Sequence, residues 1–323
     1  MGRYFVGAYA AAPSGEGGSE AQDVEYYAAL GDQEFVEGLE LQFNGLLRDQ
    51  SKAFRRGLKT QWSYVLTTIG GTMERRARDA AFGLASADEA GRRRALDYLR
   101  SARDAVRELN DRCGRPAVRA VEIHSAPRPV DGARQDAAAF ARSLSELRSW
   151  DWEEARLAVE HCDAWVAGQA PEKGFMPLDA EITAVQDSLH TGSGETVIGV
   201  SLNWGRSAIE GRDPDTALQH LKAMHASGLL SGLMFSGATT DDPDFGHWAD
   251  KHAPFSDARE GHQLLTAARL EACLREVRGT PLDFLGFKVR TAPVHLKPQE
   301  RVALLRRQAQ LLDTASAKEG SVD

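Results

Sequence analysis

The sequence predicts an α/β fold, a single (β/α)8 TIM barrel formed by residues 1–315 and followed by a short flexible tail over 316–323. Three observations lead there. Short apolar runs rich in β-branched residues recur eight times along the 323 residues. Helix-like segments separate them, the alternation that builds a parallel sheet through right-handed crossovers. Polar residues collect at the C-terminal ends of nearly all the runs, and in a barrel those ends form the working face. An open doubly wound sheet is the alternative way to assemble the same elements.

The first strand is read over residues 4–11 (YFVGAYAA), the second over 36–43 (VEGLELQF) and the third over 64–69 (YVLTTI), which stops at Gly70 and Gly71. The connection over 44–61 carries the weakest helical pattern in the chain. In SADEAGRRRALDYLRSARDAVRELNDRCG, Ser86 and Glu89 have capping-box spacing, and Leu96, Leu99, Val106 and Leu109 recur at helical intervals until Gly114. Strand four follows at 120–125 (AVEIHS), strand five at 157–161 (LAVEH), strand six at 197–202 (VIGVSL), strand seven at 230–235 (LSGLMF) and strand eight at 284–289 (FLGFKV). Helices are predicted between and after them at 137–147, 178–188, 215–227, 266–278 and 298–314.

Composition excludes several classes. Hydrophobic residues are 42% and charged residues 27%, an ordinary globular balance, and the net charge of −8 leaves no basic face for nucleic acid. No apolar run approaches the roughly 20 residues of a membrane helix, and MGRYFVGAYA reads as a strand rather than a signal peptide, so a cytoplasmic location is expected. Cys113, Cys162 and Cys273 are odd in number and far apart, which argues against a disulfide framework or cysteine-rich zinc ligation. The GSGE at 192–195 precedes a strand, the wrong side for a phosphate-binding helix start, and Walker, HExxH, GxSxG and paired CxxC patterns do not occur.

Function therefore rests on the strand ends. Glu40, Gln42, Thr67, Glu122 and His124 would converge on one mouth with Glu160, His161, Asn203, Ser236 and Lys288. Burying so many polar groups together requires compensation that a binding or reaction site supplies.

The motifs VEIHSAP, VEHCDA and SLNWGRS on strands four to six resemble the xylose-isomerase-like TIM barrels, a superfamily of sugar isomerases and epimerases. Together with TTIGGTM, FGLAS, QAPEKGF and GLMFSGA they resemble, more closely and over nearly the whole chain, an uncharacterised bacterial family. The wider resemblance implies a divalent metal held by Glu, Asp, His and Glu on strands five to eight. Only Glu160 matches, because Asn203, Ser236 and Lys288 stand at the other three ends, and an ammonium there repels a cation. The usual metal site reads as degenerate and the cofactor as unknown; a relocated site of Glu122, His124, Glu160 and His161 is the alternative.

Without that metal, proton abstraction beside a carbonyl needs a base and a cationic or hydrogen-bonding group at the enolate oxygen. Glu160 is the expected base and Lys288 the stabiliser, with His124 and His161 returning the proton; a salt bridge from Lys288 to Glu160 or Glu122 is the alternative role. Consecutive strand residues face opposite ways, so only one of Glu160 and His161 faces the mouth while the strand lasts. Asn203 and Arg206 are expected to bind hydroxyl or anionic groups of a carbohydrate, with Glu40, Glu122, Asp163, Trp204, Ser236 and His247 completing the substrate surface.

Alternatives remain open at this stage. Cys162 reads as a small buried residue or a nucleophile, Trp165 and Trp204 as sugar-stacking rings or core, and Gly70–Gly71 as a tight turn or an anion cradle. The segment 237–260, with His247, Trp248, Lys251 and His252, reads as a lid or an oligomer contact, as does the loop bearing Glu172 and Lys173. The expected reaction is isomerisation or epimerisation through an enolate. A lyase or hydratase using the same step, a Schiff-base aldolase through Lys288, and a catalytically silent sugar-binding barrel are the other readings.

Overall fold

Eight parallel strands pair in chain order and close on themselves in the computed structural model, which describes residues 2–45, 57–130, 132–191, 195–256, 262–292 and 295–317. They are β1 Tyr4–Val6, β2 Val36–Gln42, β3 Ser63–Thr67, β4 Val118–Ile123, β5 Arg156–His161, β6 Ile198–Asn203, β7 Leu230–Phe235 and β8 Phe284–Phe287. Phe5 and Val6 pair with Gly286 and Phe287 to shut the barrel. Around it lie α1 Glu20–Gly31, α2 Ile69–Arg78, α3 Glu89–Cys113, α4 Ala137–Arg148, α5 Leu178–Thr191, α6 Trp204–Gly211, α7 Asp215–Ala226, α8 Ala267–Glu276 and α9 Pro298–Ala317. The protein is the (β/α)8 barrel that the strand count predicts.

Period-two alternation decides what each strand gives to either side. Phe5, Val65, Ala120, Ala158, Met234 and Phe284 point inward and form an apolar plug, so the barrel is a packed core rather than a pore. Leu39, Leu41, Val121, Ile123, Leu157 and Val159 point outward into the large core beneath the helices. Helix α3 lays buried Leu96, Leu99, Val106 and Leu109 on that core, and truncating one such leucine to alanine costs about 2–5 kcal/mol.

Local structure departs from the sequence expectations at identifiable points. β1 ends at Val6, and residues Ala8–Ala11 form a short 3-10 turn where the strand was expected to continue; a second 3-10 turn follows at Pro13–Glu16. Helix α3 starts from Asp88, whose carboxylate accepts from the N–H groups of Ala90 and Gly91; the Ser86–Glu89 capping box does not form because Glu89 pairs with Arg92 and Arg93 instead. A capping box does open α1, between Ser19 and Gln22. Gly70 and Gly71 lie in the first turn of α2 rather than in a tight turn. Most of the 44–61 connection, residues 46–56, lies outside the described residues, as does the tail beyond Ala317.

Candidate active site at the barrel mouth

The inward positions above the apolar plug are polar. Glu40, Glu122, Glu160, Asn203, Lys288 and Arg206 are all at most 2% exposed, so each charge must find its partner inside the protein. Room for them begins at Gly7, just past β1, where a Cβ would lie 2.4 Å from the Cβ of Lys288 and 3.0 Å from Glu40 Oε2. Only a residue without a side chain lets that pair form. Lys288 Nζ donates to Glu40 Oε1 at 2.7 Å, and Tyr9 Oη donates to Glu40 Oε2 at 2.9 Å.

Glu160 is the hub. Its Oε1 accepts from Asn203 Nδ2 at 3.0 Å and lies 3.5 Å from Lys288 Nζ; its Oε2 lies 2.6 Å from Arg206 Nη1, 2.8 Å from His124 Nε2 and 3.5 Å from Thr67 Oγ1. β6 and α6 place two of these partners at once. Asn203 ends the strand and caps the helix, its Oδ1 accepting from the Arg206 N–H, so the helix starts at once and swings Arg206 over the mouth. Burial by itself would raise the Glu160 carboxyl, but Arg206, Lys288 and His124 hold it well below the ordinary carboxylate range. His124 is the reverse case: burial pushes the imidazole below its usual value despite Glu160, so the neutral Nε2–H tautomer donates to Glu160. Burial also opposes the Lys288 charge, but Glu40, Tyr9 and Glu160 raise the ammonium well above its usual value.

Glu122 differs from the rest. Its Oε1 accepts from Ser201 Oγ at 3.0 Å, while its Oε2, fully buried, has no hydrogen-bond partner among the described residues. Carboxylate oxygens of Glu40, Glu122 and Glu160 lie within 4.8 Å of one another. Burial, then Glu160 and Glu40, push the Glu122 carboxyl well above its usual range, which favours its neutral acid form where the neighbours of Glu160 favour the carboxylate.

Two loops close over Arg206. Asp250, on the segment after β7, meets Arg206 Nε at 3.2 Å and Lys173 Nζ, from the loop after β5, at 2.9 Å. His252 Nδ1 lies 2.8 Å from Ser236 Oγ and 3.3 Å from Asp250, and burial pushes its imidazole down to about 4. The segment after β7 is tied back at Gly237–Ala253 and Thr239–Gln263 rather than structureless; residues 257–261 lie outside the described residues. Tyr9 and Asp250 are functional candidates that sequence reasoning missed, because both sit in irregular segments where no periodicity marks them.

Other expected residues lie elsewhere. His161 faces outward from β5, where its Nδ1 is 2.6 Å from Glu181 and its Nε2 3.0 Å from Glu210, so it does not join Glu160. Asp163 accepts from the N–H groups of Lys173 and Gly174 and shapes the loop after β5; burial lifts its carboxyl to about 6. Trp204 is fully buried in the core beneath the helices, with Cys273 as its hydrogen-bond partner, and is turned away from the mouth. His247 and Trp165 are solvent-exposed. Cys162 Sγ receives Arg206 Nη1 at 3.2 Å, yet burial raises the thiol well above its usual value, which leaves it a poor nucleophile.

A divalent metal does not fit this mouth. Arg206 sits on one oxygen of Glu160 and Lys288 near the other, so two cations fill the shell where a metal would bind. The relocated set of Glu122, His124, Glu160 and His161 does not assemble either, because His161 is on the far side of the barrel wall.

Comparisons with known proteins agree with this architecture. A family model described as a domain of unknown function (DUF4862) matches residues 5–304. An uncharacterised protein of Salmonella typhimurium (strain LT2), STM3670, is 36% identical over 308 residues, 94% of each chain. Among solved structures, a xylose isomerase domain protein from Alicyclobacillus acidocaldarius is similar over 98% of this chain and 100% of its own, with 14% identity and a TM-score of 0.54. D-psicose 3-epimerase crystallised with D-fructose is similar over 98% and 97%, with 12% identity and a TM-score of 0.53. These likenesses show the (β/α)8 barrel fold.

Proposed function

The chain belongs to the family described as a domain of unknown function (DUF4862), and we propose that it is a sugar isomerase or epimerase in which two buried cations do the work of a metal. Its substrate is a carbohydrate or carbohydrate-derived carbonyl compound, the class for which structurally similar proteins are named. Lys288 and Arg206 face the position of the substrate carbonyl and stabilise the enolate oxygen as charge develops on it. Glu160 and Glu40 hold those cations in place. With both oxygens of Glu160 engaged by cations, the proton carrier is Glu122. It gives its proton to the carbonyl oxygen and, once ionised, takes the proton of the adjacent carbon to form the enediol. It then returns that proton to the other carbon while recovering one from the hydroxyl, beside neutral His124. Asn203 and Tyr9 supply hydrogen bonds to hydroxyl groups.

One observation carries this reading: a fully buried carboxyl oxygen, Glu122 Oε2, with no hydrogen-bond partner among the described residues, shares the barrel lumen with an ammonium and a guanidinium. A structural salt-bridge cluster has no use for an orphaned acid, whereas proton transfer does. The test is incubation with aldoses, ketoses and their phosphates in D2O with excess chelator, followed by mass spectrometry. Deuterium incorporated next to the carbonyl, lost in Glu122→Gln and Lys288→Met, supports the assignment. No exchange with any member of the panel supports a silent sugar-binding barrel, and exchange that requires added Mg2+ or Mn2+ refutes the metal-free mechanism. A double bond appearing in the product identifies the lyase variant of the same step.

A further inference from the structure

Behind β5, outside the barrel lumen, a second polar cluster plays no part in the proposed reaction. His161 Nε2 lies 3.0 Å from Glu210 Oε2, and His220 Nε2 lies 3.6 Å from Glu210 Oε1. The ligand atoms of these residues all fall within 4.8 Å of one another. Each imidazole is also held from its other side. His161 Nδ1 is 2.6 Å from Glu181 Oε2, and Glu181 is itself fixed by Ser125 Oγ; His220 Nδ1 is 3.0 Å from Ser207 Oγ. Both rings therefore turn their Nε2 atoms toward one carboxylate.

We propose that His161, His220 and Glu210 form a zinc-class metal site that staples β5 to α6 and α7. Two imidazole nitrogens and one carboxylate oxygen form a donor set suited to Zn2+. Donors about 3.3 Å apart surround a tetrahedral zinc with bonds of ~2.0–2.1 Å, so ligand atoms that lie within 4.8 Å of one another draw together when the ion binds. The Nδ1 bonds from Glu181 and Ser207 are the outer-shell supports that metal-binding histidines carry. His161 is fully enclosed, whereas the His220 and Glu210 side chains are 16% and 15% exposed, so one edge admits the ion and leaves a fourth position for water. The third element is secured independently: Glu210 Oε2 accepts from the Ala164 N–H at 2.7 Å, tying the cluster to the loop that follows Glu160.

The site stands apart from the lumen chemistry, and its test separates the two. The full chain, stripped with chelator, is titrated with Zn2+ by calorimetry and with Co2+ by visible absorption. We expect one equivalent of zinc, a tetrahedral cobalt spectrum and a rise in Tm on binding. His220→Gln abolishes all three, while Glu160→Gln, in the lumen, retains zinc uptake. Ser207→Ala removes only an outer support and weakens affinity by about tenfold, which keeps the test decisive if His220→Gln fails to fold. Absence of stoichiometric zinc uptake by the unmutated protein, uptake indifferent to both His220→Gln and Ser207→Ala, or uptake lost only in Glu160→Gln overturns the assignment.

Discussion

Glu122 and Glu160 are the same side chain in one lumen with their carboxyls pushed in opposite directions, and their neighbours make the difference. Glu160 has Arg206 and Lys288 against it; Glu122 has a serine hydroxyl and two other carboxyls nearby. Glutamine therefore does different things at the two positions. Glu122→Gln keeps a neutral group in a neutral place and should change stability by less than about 1 kcal/mol while abolishing turnover. Glu160→Gln takes the nearer of two carboxylates from a buried guanidinium and should cost about 3–5 kcal/mol in urea unfolding. Equal costs at the two positions would contradict the assigned charge states. His161 gives a pH prediction. Burial alone would lower its imidazole, but Glu181 and Glu210 raise it to about 10 in the metal-free protein. The folded value exceeds the unfolded one of about 6.5, so its stabilisation is fully present below about pH 6.5 and is lost as pH rises through about 10. Chelated protein should lose stability across that window, with a slope that His161→Gln reduces.

At the scale of elements, what the sequence discloses depends on periodicity. Position at the C-terminal ends of the runs marked Glu40, Glu122, Glu160, Asn203, Ser236 and Lys288 for the mouth, and alternation set Glu160 and His161 on opposite sides of the wall. Two residues just past strand ends leave the mouth. Trp204 follows Asn203 directly into α6 and turns outward, and Asp163 lies in a loop folded on its own backbone N–H groups. Helix α2 hides behind its arginines and glycines, while α1 opens on a Ser19–Gln22 capping box whose spacing is readable in the sequence. Close packing at Gly7 supplies a test at this scale. Gly7→Ala should force Lys288 away from Glu40, destabilise the protein by about 1–3 kcal/mol and reduce activity further than the stability loss explains. The Lys173–Asp250 bridge joins two loops across Arg206, so Lys173→Met should increase proteolysis within 237–256 without altering the barrel's circular dichroism. Unchanged cleavage would remove that bridge as a latch.

Across the whole molecule the closed strand order was legible from the count and spacing of the runs, whereas the quality of the seams was not. β1 has three residues and β8 four, and they pair at only two positions, while β5 and β6 pair along five. Hydrogen exchange should therefore be fastest at the β1–β8 seam and slowest across β5–β6. Sequence reading expected a degenerate metal shell and offered a Lys288–Glu160 salt bridge as one replacement, but not the Arg206–Glu160 contact, which arises only through the fold. Diffraction from crystals soaked with a ketose and excess Mn2+ examines that replacement directly. The account predicts a substrate oxygen within hydrogen-bond distance of Lys288 Nζ and Arg206 and no manganese anomalous signal in the lumen; a manganese peak among Glu40, Glu122 and Glu160 would contradict it.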